Sequence, residues 1–339
     1  MSGGEMFSMN AEAIVVASTS STPVTGFGVL ESGGEGRPGG TVARAVSREQ
    51  IRMTEPVGVI GLGLLGTALA ERLLAGGFPV VGFDLAPGRR EALVQLGGTA
   101  AASAAGVAVQ CRRVLLSLLT SAQSTSVVGE IEGVLAPGAL VVDTTTGSPA
   151  EMEGLGARLA LREVAYLDAT VAGNSAEVRR SDVLVLAGGS AEAFAAGGDL
   201  FACFARCAYH LGPCGAGARM KLVFNLALGL HRAVLGEALV FAEKLGIAQE
   251  TALAILKEGA AASRAMETKG EKMLRREFSP QARLHQHRKD VELIVDLAEE
   301  LGARVPLSEL HLRLLRELEA AGWGDLDNSV IVRAFEQGS

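Results

Sequence analysis

Short apolar runs alternate with segments of helical periodicity along most of the chain. The apolar runs are short enough for buried strands, whereas the intervening segments repeat their apolar residues every three or four positions. The predicted strands span residues 57–60, 79–83, 113–119 and 139–142, and the predicted helices span 67–75, 124–135 and 149–161. Strands that alternate with helices form a parallel sheet with helices on both faces. The pattern therefore predicts an α/β fold with a doubly wound, Rossmann-type parallel sheet.

The last third of the chain has a different, purely helical pattern. A Gly-rich joint at residues 212–217 precedes a long segment, 218–245, that has helical spacing and no Pro. Further helical segments begin at Gln249, near His287 and at Pro306. We therefore expect a Rossmann-type domain at residues 54–214, followed by an all-α C-terminal domain at 215–335.

Residues 1–53 lack this periodicity. They are rich in Gly, Ser and Thr, a composition typical of poorly ordered chain. The segment has no basic start followed by a long apolar core, and its acidic residues are unlike those of an organellar transit peptide. We expect a disordered N-terminal extension and a cytoplasmic protein.

Charge and cysteine usage argue against several classes of protein. A formal net charge of −7 argues against nucleic-acid binding, because phosphate binding needs a concentrated basic surface. Gly, Pro and charged residues interrupt the apolar runs, so we expect no membrane span. The four cysteines lack paired spacing and are interpreted as reduced packing residues. His285 and His287 would point to different faces of a helix, so we expect no metal site.

A glycine motif follows the first predicted strand and opens a helix. Gly61 permits a tight turn, Gly63 lets backbone amides approach a pyrophosphate, and Gly66 lets the helix lie close to the strand. The helix N-terminus adds free N–H groups and the positive end of its dipole. The motif therefore predicts a nicotinamide dinucleotide site. Its residues are Gly61, Leu62, Gly63, Leu64, Leu65 and Gly66.

Asp84, which closes the second predicted strand, bears on the choice of dinucleotide. Its carboxylate can accept hydrogen bonds from both hydroxyls of the adenosine ribose and would repel a 2′-phosphate, which favours NAD. Arg89 and Arg90 follow closely and could reach such a phosphate, so NADP stays possible.

Other candidate residues follow from their position in the predicted elements. Ligands of parallel sheets bind beyond the carboxyl ends of the strands, so Leu118, Leu119 and Thr146 are candidates for the nicotinamide half of the site. On the long helix, Lys221 and Asn225 share one face. Together they offer a proton donor and an amide that could orient a substrate.

Five motifs occur in a fixed order along the chain. They are Gly61-Leu-Gly-Leu-Leu-Gly66, Asp143-Thr-Thr-Thr-Gly-Ser-Pro149, Asp168-Ala-Thr-Val-Ala-Gly173, Gly215-Ala-Gly-Ala-Arg-Met-Lys221 with Asn225, and Lys289-Asp290. In this order they resemble the β-hydroxyacid dehydrogenases, which include 3-hydroxyisobutyrate dehydrogenase, tartronate semialdehyde and glyoxylate reductases and, more distantly, 6-phosphogluconate dehydrogenase. The resemblance covers about residues 56–335.

The resemblance implies an NAD(P)-dependent oxidoreductase that transfers a hydride between nicotinamide and a small β-hydroxy acid or its semialdehyde or keto form. It implies that Lys221 is the proton donor and acceptor and that Asn225 orients the substrate hydroxyl. Thr146 would contact the nicotinamide, and Lys289 would close over cofactor and substrate. The loop that would bind the substrate carboxylate consists of Thr170, Val171, Ala172, Gly173 and Asn174.

This loop departs from the family pattern at two positions. Thr170 replaces a Pro, and Ala172 replaces a Ser whose hydroxyl helps to hold the carboxylate, which makes an anionic substrate less certain. Arg179 and Arg180 follow the loop and either supply a new anion contact or lie in solvent.

Two alternative functions stay open. Imine reductases share the architecture but generally lack the Lys that stands here at position 221. A non-catalytic sensor or scaffold would keep the dinucleotide site alone. Apolar helices at residues 222–242 and 291–301 offer more apolar surface than one small bundle needs, which predicts a homodimer or homotetramer.

Overall fold

The structure is a computed structural model that describes Glu12–Val15, Gly28–Leu30 and residues 55–336. The chain divides into two compact units, Met1–Lys221 and Leu222–Ser339, and the boundary lies inside one long helix. It falls beyond the domain limit predicted at residue 214, because the start of this helix is held on the sheet of the first unit: Ala218 belongs to an apolar core of that unit.

The first unit is built from strands and the helices that connect them. In chain order its elements are β1 (Glu12–Val15), β2 (Gly28–Leu30), β3 (Val57–Ile60), α1 (Leu64–Ala75), β4 (Val80–Phe83), α2 (Pro87–Gln95), β5 (Thr99–Ala100), α3 (Ala104–Gln110), β6 (Arg113–Leu116), α4 (Ser121–Ile131), β7 (Leu140–Asp143), α5 (Pro149–Ala160), β8 (Ala165–Ala172), α6 (Ser175–Arg179), β9 (Val183–Gly188), α7 (Ala191–Phe204) and β10 (Ala205–His210).

All these strands join one sheet in the order β2-β1-β10-β9-β8-β7-β6-β3-β4-β5. From β8 to β5 every neighbouring pair is parallel, which confirms the predicted Rossmann-type sheet. Strand β9 differs, because it pairs antiparallel with β8. A parallel return needs a crossover of a dozen or more residues, whereas the short helix α6 is the only helix between β8 and β9.

Apolar clusters cover both faces of the sheet. Leu115 of β6 packs in the cluster that contains residues of α1 and α7, and its neighbours Val114 and Leu116 pack in the cluster that contains residues of α3, α4 and α5. Successive side chains of a strand point to opposite faces, so a strand covered on both sides reads as an uninterrupted apolar run. This is the physical origin of the runs that the sequence shows.

The N-terminal extension differs in part from the expected disorder. Strand β1 pairs antiparallel with β10, with Glu12 opposite His210, and β2 pairs antiparallel with β1. Both strands lie inside the segment predicted to be disordered, and the edge of β10 offers them backbone partners that a local pattern does not reveal. The other residues of segment 1–53 lie outside the described residues.

The second unit is helical, as the sequence predicts. After α8 (Ala216–Lys244), whose first turns belong to the first unit, its elements are α9 (Gln249–Glu258), α10 (Arg264–Arg275), α11 (Leu284–Glu300), α12 (Pro306–Leu318), a π-helical turn (Glu319–Trp323), a 3₁₀ turn (Asn328–Val332) and α13 (Arg333–Glu336). Its core includes Leu239 of α8, Val291 of α11 and Leu315 of α12. These helices bury apolar faces that recur with helical spacing.

Helix α8 is the one helix of the described residues that is long and apolar enough to cross a membrane, by length and composition only. The interrupted apolar runs of the sequence predict no membrane span. The core helix of a soluble protein passes the same test, and α8 carries the buried polar residues Lys221, Asn225 and Arg232. Such side chains are costly inside a lipid bilayer, so this helix is weak support for a membrane span.

Candidate functional site

The glycine motif forms the turn between β3 and α1. Strand β3 ends at Ile60, helix α1 begins at Leu64, and the extended residue Gly63 is its N-cap. Gly61 has a φ of +92°, in the left-handed region that favours glycine. A Cβ on Gly61 would also overlap the carbonyl oxygen of Ser117. The chain can therefore make this turn only with glycine at position 61.

Gly66 and Gly63 are explained by different contacts. A Cβ on Gly66 would overlap the carbonyl oxygen of Gly61, so α1 lies this close to the turn because position 66 has no side chain. A Cβ on Gly63 would meet no described atom nearer than Arg89 Nη1, at 3.9 Å. No described side chain caps the first turn of α1. Packing therefore does not require glycine at 63, whereas a pyrophosphate against the backbone does, and these residues fit a dinucleotide.

Asp84 follows β4 and supports the glycine turn from the neighbouring strand. Its Oδ2 accepts hydrogen bonds from the N–H of Leu62 at 2.8 Å and from Arg89 Nη1 at 3.2 Å, and its Oδ1 accepts from the N–H of Ala86 at 2.9 Å. Arg90 Nη1 donates to the Asp84 carbonyl oxygen at 2.5 Å. The carboxylate is thus fixed beside a half-exposed guanidinium, which partly offsets its repulsion of a phosphate.

The loops after β6 and β7 reach the same edge of the sheet. The N–H of Leu118 donates to Thr145 Oγ1 at 3.1 Å and so ties the two loops together. A Cβ on Gly61 would lie 3.0 Å from Leu118 Cδ2, so Leu118 borders the glycine turn. Leu119 is exposed in the same loop, and Thr146 lies partly exposed in the loop after β7.

Lys221 lies near the start of α8 and is buried, with 6 % of its surface exposed. Its Nζ donates to the carbonyl oxygen of Val171, near the end of β8, at 2.7 Å. Helix and strand approach closely because Gly217 lacks a side chain: a Cβ there would overlap the Asp168 carbonyl oxygen and lie 2.5 Å from that of Leu186. The ammonium group is thus held at the carboxyl edge of the sheet.

The predicted substrate loop ends β8 and leads into α6. The side chains of Thr170, Val171 and Ala172 are buried. Asn174 caps α6: its Oδ1 accepts from the N–H of Glu177 at 3.1 Å and its Nδ2 donates to Glu177 Oε2 at 2.7 Å. The structure therefore uses these side chains for packing and capping, which leaves backbone groups such as those at Gly173 as candidates for a substrate carboxylate.

Of the two arginines after this loop, Arg179 has a partner in the protein. Its guanidinium forms a bidentate ion pair with Glu71 of α1, at 2.6 and 3.1 Å, whereas Arg180 is exposed. A protein carboxylate therefore already balances the charge of Arg179, and the pair links α6 to α1.

In the second unit, one carboxylate contacts two of the predicted site residues. Asn225 Nδ2 donates to Asp290 Oδ2 at 2.9 Å, and Lys289 Nζ lies 3.0 Å from Asp290 Oδ1. Because an ionised carboxylate only accepts hydrogen bonds, the amide of Asn225 must turn its nitrogen toward Asp290. Asn225 follows Lys221 by about one turn of the continuous helix α8.

Two of the five sequence motifs open with a buried carboxylate. Asp143 and Asp168 stand opposite each other on β7 and β8. Asp143 accepts from the N–H of Thr145 at 2.9 Å and from the hydroxyl of Tyr166 at 3.0 Å. Burial raises the pKa of Asp143, and it raises the pKa of Asp168 to about 6. Their place at the end of apolar strand runs was visible in the sequence, but their partners were not.

The histidines that were considered as metal ligands have other contacts. His285 Nδ1 lies 3.0 Å from the Gly324 carbonyl oxygen, and Arg232 Nη2 lies 3.4 Å from both ring nitrogens of His287. In the part of the chain that the structure describes, no group of three or more His, Cys, Asp or Glu side chains could hold a metal ion.

Comparisons with known proteins match both parts of the chain. Residues 56–212 match the model of the NAD-binding domain of 6-phosphogluconate dehydrogenase, and residues 215–335 match the NAD-binding model of NADP-dependent 3-hydroxyisobutyrate dehydrogenase. L-threonate dehydrogenase of Cupriavidus necator is 30% identical over 84% of this chain and 97% of its own length.

Solved structures agree with these matches. The crystal structure of 3-hydroxyisobutyrate dehydrogenase from Salmonella typhimurium superposes with a TM-score of 0.78 at 27% identity, over 83% of this chain and 100% of that one. An imine reductase from Pseudomonas sp. superposes with a TM-score of 0.53 at 23% identity, over 83% of this chain and 99% of that one. The second likeness concerns the fold alone.

Proposed function

Because the chain belongs to the β-hydroxyacid dehydrogenase family, we propose that it is an NAD(P)-dependent oxidoreductase that acts on the CH–OH group of a small hydroxy acid. It interconverts this acid with its semialdehyde or keto form. One observation carries the proposal: Lys221 is buried, held at the carboxyl edge of the sheet by the Val171 carbonyl, and followed one helical turn later by Asn225.

The residues that would hold the nicotinamide coenzyme follow one another along the carboxyl edge of the sheet. Asp84 follows β4, and Val171 lies on β8. Five neighbouring strands of the sheet connect these two positions, in the order β4, β3, β6, β7 and β8. At about 4.8 Å per neighbouring strand they span about 19 Å, which suits an extended dinucleotide. The glycine turn and Asp84 would hold its adenosine half, while Leu118, Leu119 and Thr146 would border its nicotinamide half. When bound, it supplies or accepts the hydride.

Lys221 handles the proton. In reduction its ammonium donates a proton to the substrate oxygen as that oxygen becomes a hydroxyl, and in oxidation the neutral amine takes the proton back. The amide of Asn225 turns its nitrogen to Asp290, which leaves its oxygen to accept a hydrogen bond from the substrate hydroxyl. Lys289 and the backbone of the loop from Thr170 to Asn174 contact the substrate or coenzyme.

Turnover of a substrate panel tests this function. We expect oxidation of L-threonate or 3-hydroxyisobutyrate with NAD or NADP, or reduction of glyoxylate or tartronate semialdehyde with the reduced coenzymes. Lys221→Ala should lower kcat by at least about 100-fold and leave coenzyme binding nearly unchanged. Lys244→Ala, at the exposed end of the same helix, is the control and should keep full activity. Coenzyme binding without any turnover would instead support a sensor or scaffold, and turnover of cyclic imines alone an imine reductase.

The helical region, residues 215–335, also serves self-association into a homodimer or homotetramer. An exposed apolar stripe on α8 supports this self-association. Successive members of the stripe are separated by whole helical turns, so they share one face of the helix. The stripe consists of Val223, Val234, Phe241 and Leu245. Phe241→Glu should shift the light-scattering mass toward one chain, and a wild-type mass of one chain would refute self-association.

We also propose that the protein is a cytoplasmic enzyme. Its partner is a small-molecule substrate, and it binds neither nucleic acid nor a membrane. The net charge of −7 supports the absence of nucleic acid, and the buried polar residues of α8 support the absence of a membrane. Cell fractionation with activity measurements in each fraction tests the location.

A further inference from the structure

The start of α8 is capped by a carboxylate from a distant strand. Asp168 Oδ1 accepts the N–H of Gly215 at 2.8 Å, and Asp168 Oδ2 accepts the N–H of Ala218 at 2.7 Å, across 47 and 50 residues of sequence. Both oxygens of one buried side chain thus satisfy N–H groups that a helix start leaves without partners. Other helices of this unit use a residue next to them for this purpose, such as Ser103, Thr120 and Ser190.

The surroundings of Asp168 fix the helix tightly against β8. A Cβ on Gly188 would lie 2.5 Å from Asp168 Oδ1, and a Cβ on Gly217 would overlap the Asp168 carbonyl oxygen. The carboxylate and the first turn of α8 therefore lie where a side chain at position 188 or 217 would not fit. Such close packing allows strand β8 to define both the position and the rotation of the helix start.

Lys221 is anchored to the same strand. It follows Ala218 by three residues, and its Nζ donates to the carbonyl oxygen of Val171, three residues after Asp168. Strand β8 therefore contacts α8 at two levels: the Asp168 side chain holds the backbone of the first turn, and the Val171 carbonyl holds the ammonium group. A displaced first turn would move the Lys221 backbone away from its anchor.

Capping alone does not explain the choice of a carboxylate. Asp168 is 0 % exposed, and burial raises its pKa to about 6, so ionisation is less favourable here than for an exposed carboxyl. A serine or threonine provides a cap without burying a charge, as it does at α3 and α4. The carboxylate offers a separate acceptor atom to each of two N–H groups that lie three residues apart.

We propose that Asp168 is the positioning residue for Lys221: its bidentate cap fixes the start of α8 so that the ammonium group stands at the carboxyl edge of the sheet. This inference rests on the proposed function of Lys221. Asp168 itself does not contact substrate or coenzyme in the reaction.

Asp168→Asn tests the inference, because an amide of the same size keeps one acceptor but turns an N–H₂ group toward a backbone N–H. We expect kcat to fall by between about 10-fold and about 100-fold, as for a misplaced catalytic group, with the coenzyme dissociation constant unchanged. In a Lys221→Ala background the same substitution should have no further effect. Asp199→Asn is the control: this carboxylate of the same unit pairs with Arg113 at 2.7 Å.

A second measurement does not depend on activity. Amide hydrogen exchange of the peptide 215–221 should speed up several-fold in Asp168→Asn and not in Asp199→Asn. If Asp168→Asn fails to fold, Gly217→Ala replaces it, because the added Cβ overlaps the Asp168 carbonyl oxygen and pushes α8 away from β8. It should speed up the exchange of the same peptide.

These readouts separate the possible failures. If Asp168→Asn lowers activity by the same factor with and without Lys221, or leaves both activity and exchange unchanged, the positioning role is refuted. If the wild-type protein turns over no hydroxy acid, the proposed function fails, while the exchange arm still decides whether Asp168 holds the helix start.

Discussion

Lys269 and Asp327 form a buried ion pair whose two partners should contribute unequally to stability. Lys269 Nζ lies 2.8 and 2.9 Å from the two carboxylate oxygens, and the side chains are 5 % and 0 % exposed. Asp327 also accepts from the N–H groups of Gln281 at 2.9 Å, Ala282 at 3.2 Å and Ser329 at 3.1 Å. The Asp327 carboxylate therefore has three backbone donors besides Lys269. Among these contacts the Lys269 ammonium has Asp327 alone as its acceptor.

The magnitudes follow from what each substitution leaves behind. Removing one partner of a buried pair costs about 3 to 5 kcal/mol. Lys269→Met should lie near about 3 kcal/mol, because three backbone donors still stabilise the Asp327 carboxylate. Asp327→Ala should cost about 5 kcal/mol or more, because it strands the ammonium and three N–H groups at once. That loss approaches the whole stability of a small domain.

Urea unfolding followed by tryptophan fluorescence measures both values. Trp323 is the only tryptophan of the chain and lies in the second unit, as the ion pair does, so it reports on the relevant transition. Arg275→Met is the control, because Arg275 and Glu271 form an exposed pair on the same helix worth less than about 1 kcal/mol. Equal losses for the two buried substitutions, or a larger loss for Lys269→Met, would refute the reasoning.

Three further predictions concern the glycine turn, acid stability and coenzyme choice. Gly66→Ala should destabilise the protein by about 1 to 3 kcal/mol, because the added Cβ overlaps the Gly61 carbonyl oxygen. Gly63→Ala should change stability by less than about 0.5 kcal/mol and still weaken NADH binding. Thermal melting and NADH titration measure the two effects, and an unchanged NADH affinity in Gly63→Ala would contradict the phosphate site. Burial lowers the pKa of His311 from 6.5 to about 4, so its contribution is complete above pH 6.5 and about 3 kcal/mol is lost as pH falls toward 4. His311→Leu should flatten this part of the urea midpoint against pH, and an unchanged slope would exclude His311 as its source. Arg89→Ala should raise the KM for NADPH relative to NADH, because Asp84 loses the guanidinium 3.2 Å from its Oδ2; an unaltered ratio would show that Arg89 does not face the 2′-position.

The periodicity of the sequence was sufficient for the fold class. A strand covered on both faces must be apolar throughout, and a half-buried helix must repeat its apolar positions, so the Rossmann-type sheet and the helical C-terminal region could be predicted. The glycine turn was equally accessible, because Gly61 adopts a left-handed φ of +92° and Gly66 lies against the carbonyl oxygen of Gly61, five residues earlier. The local sequence therefore specifies the elements and the turn.

The tertiary structure alone decided which distant groups meet. Three contacts join residues that are well separated along the chain: the pairing of β1 with β10, the cap of Asp168 on α8 and the hydrogen bond of Asn225 to Asp290. The antiparallel pairing of β9 with β8 depends on strand direction, which the local pattern does not give. A carboxylate has the same local pattern whether it caps a helix, orients an amide or lies in solvent. Its role is set by the partners that folding brings to it, and no spacing along the chain encodes that choice.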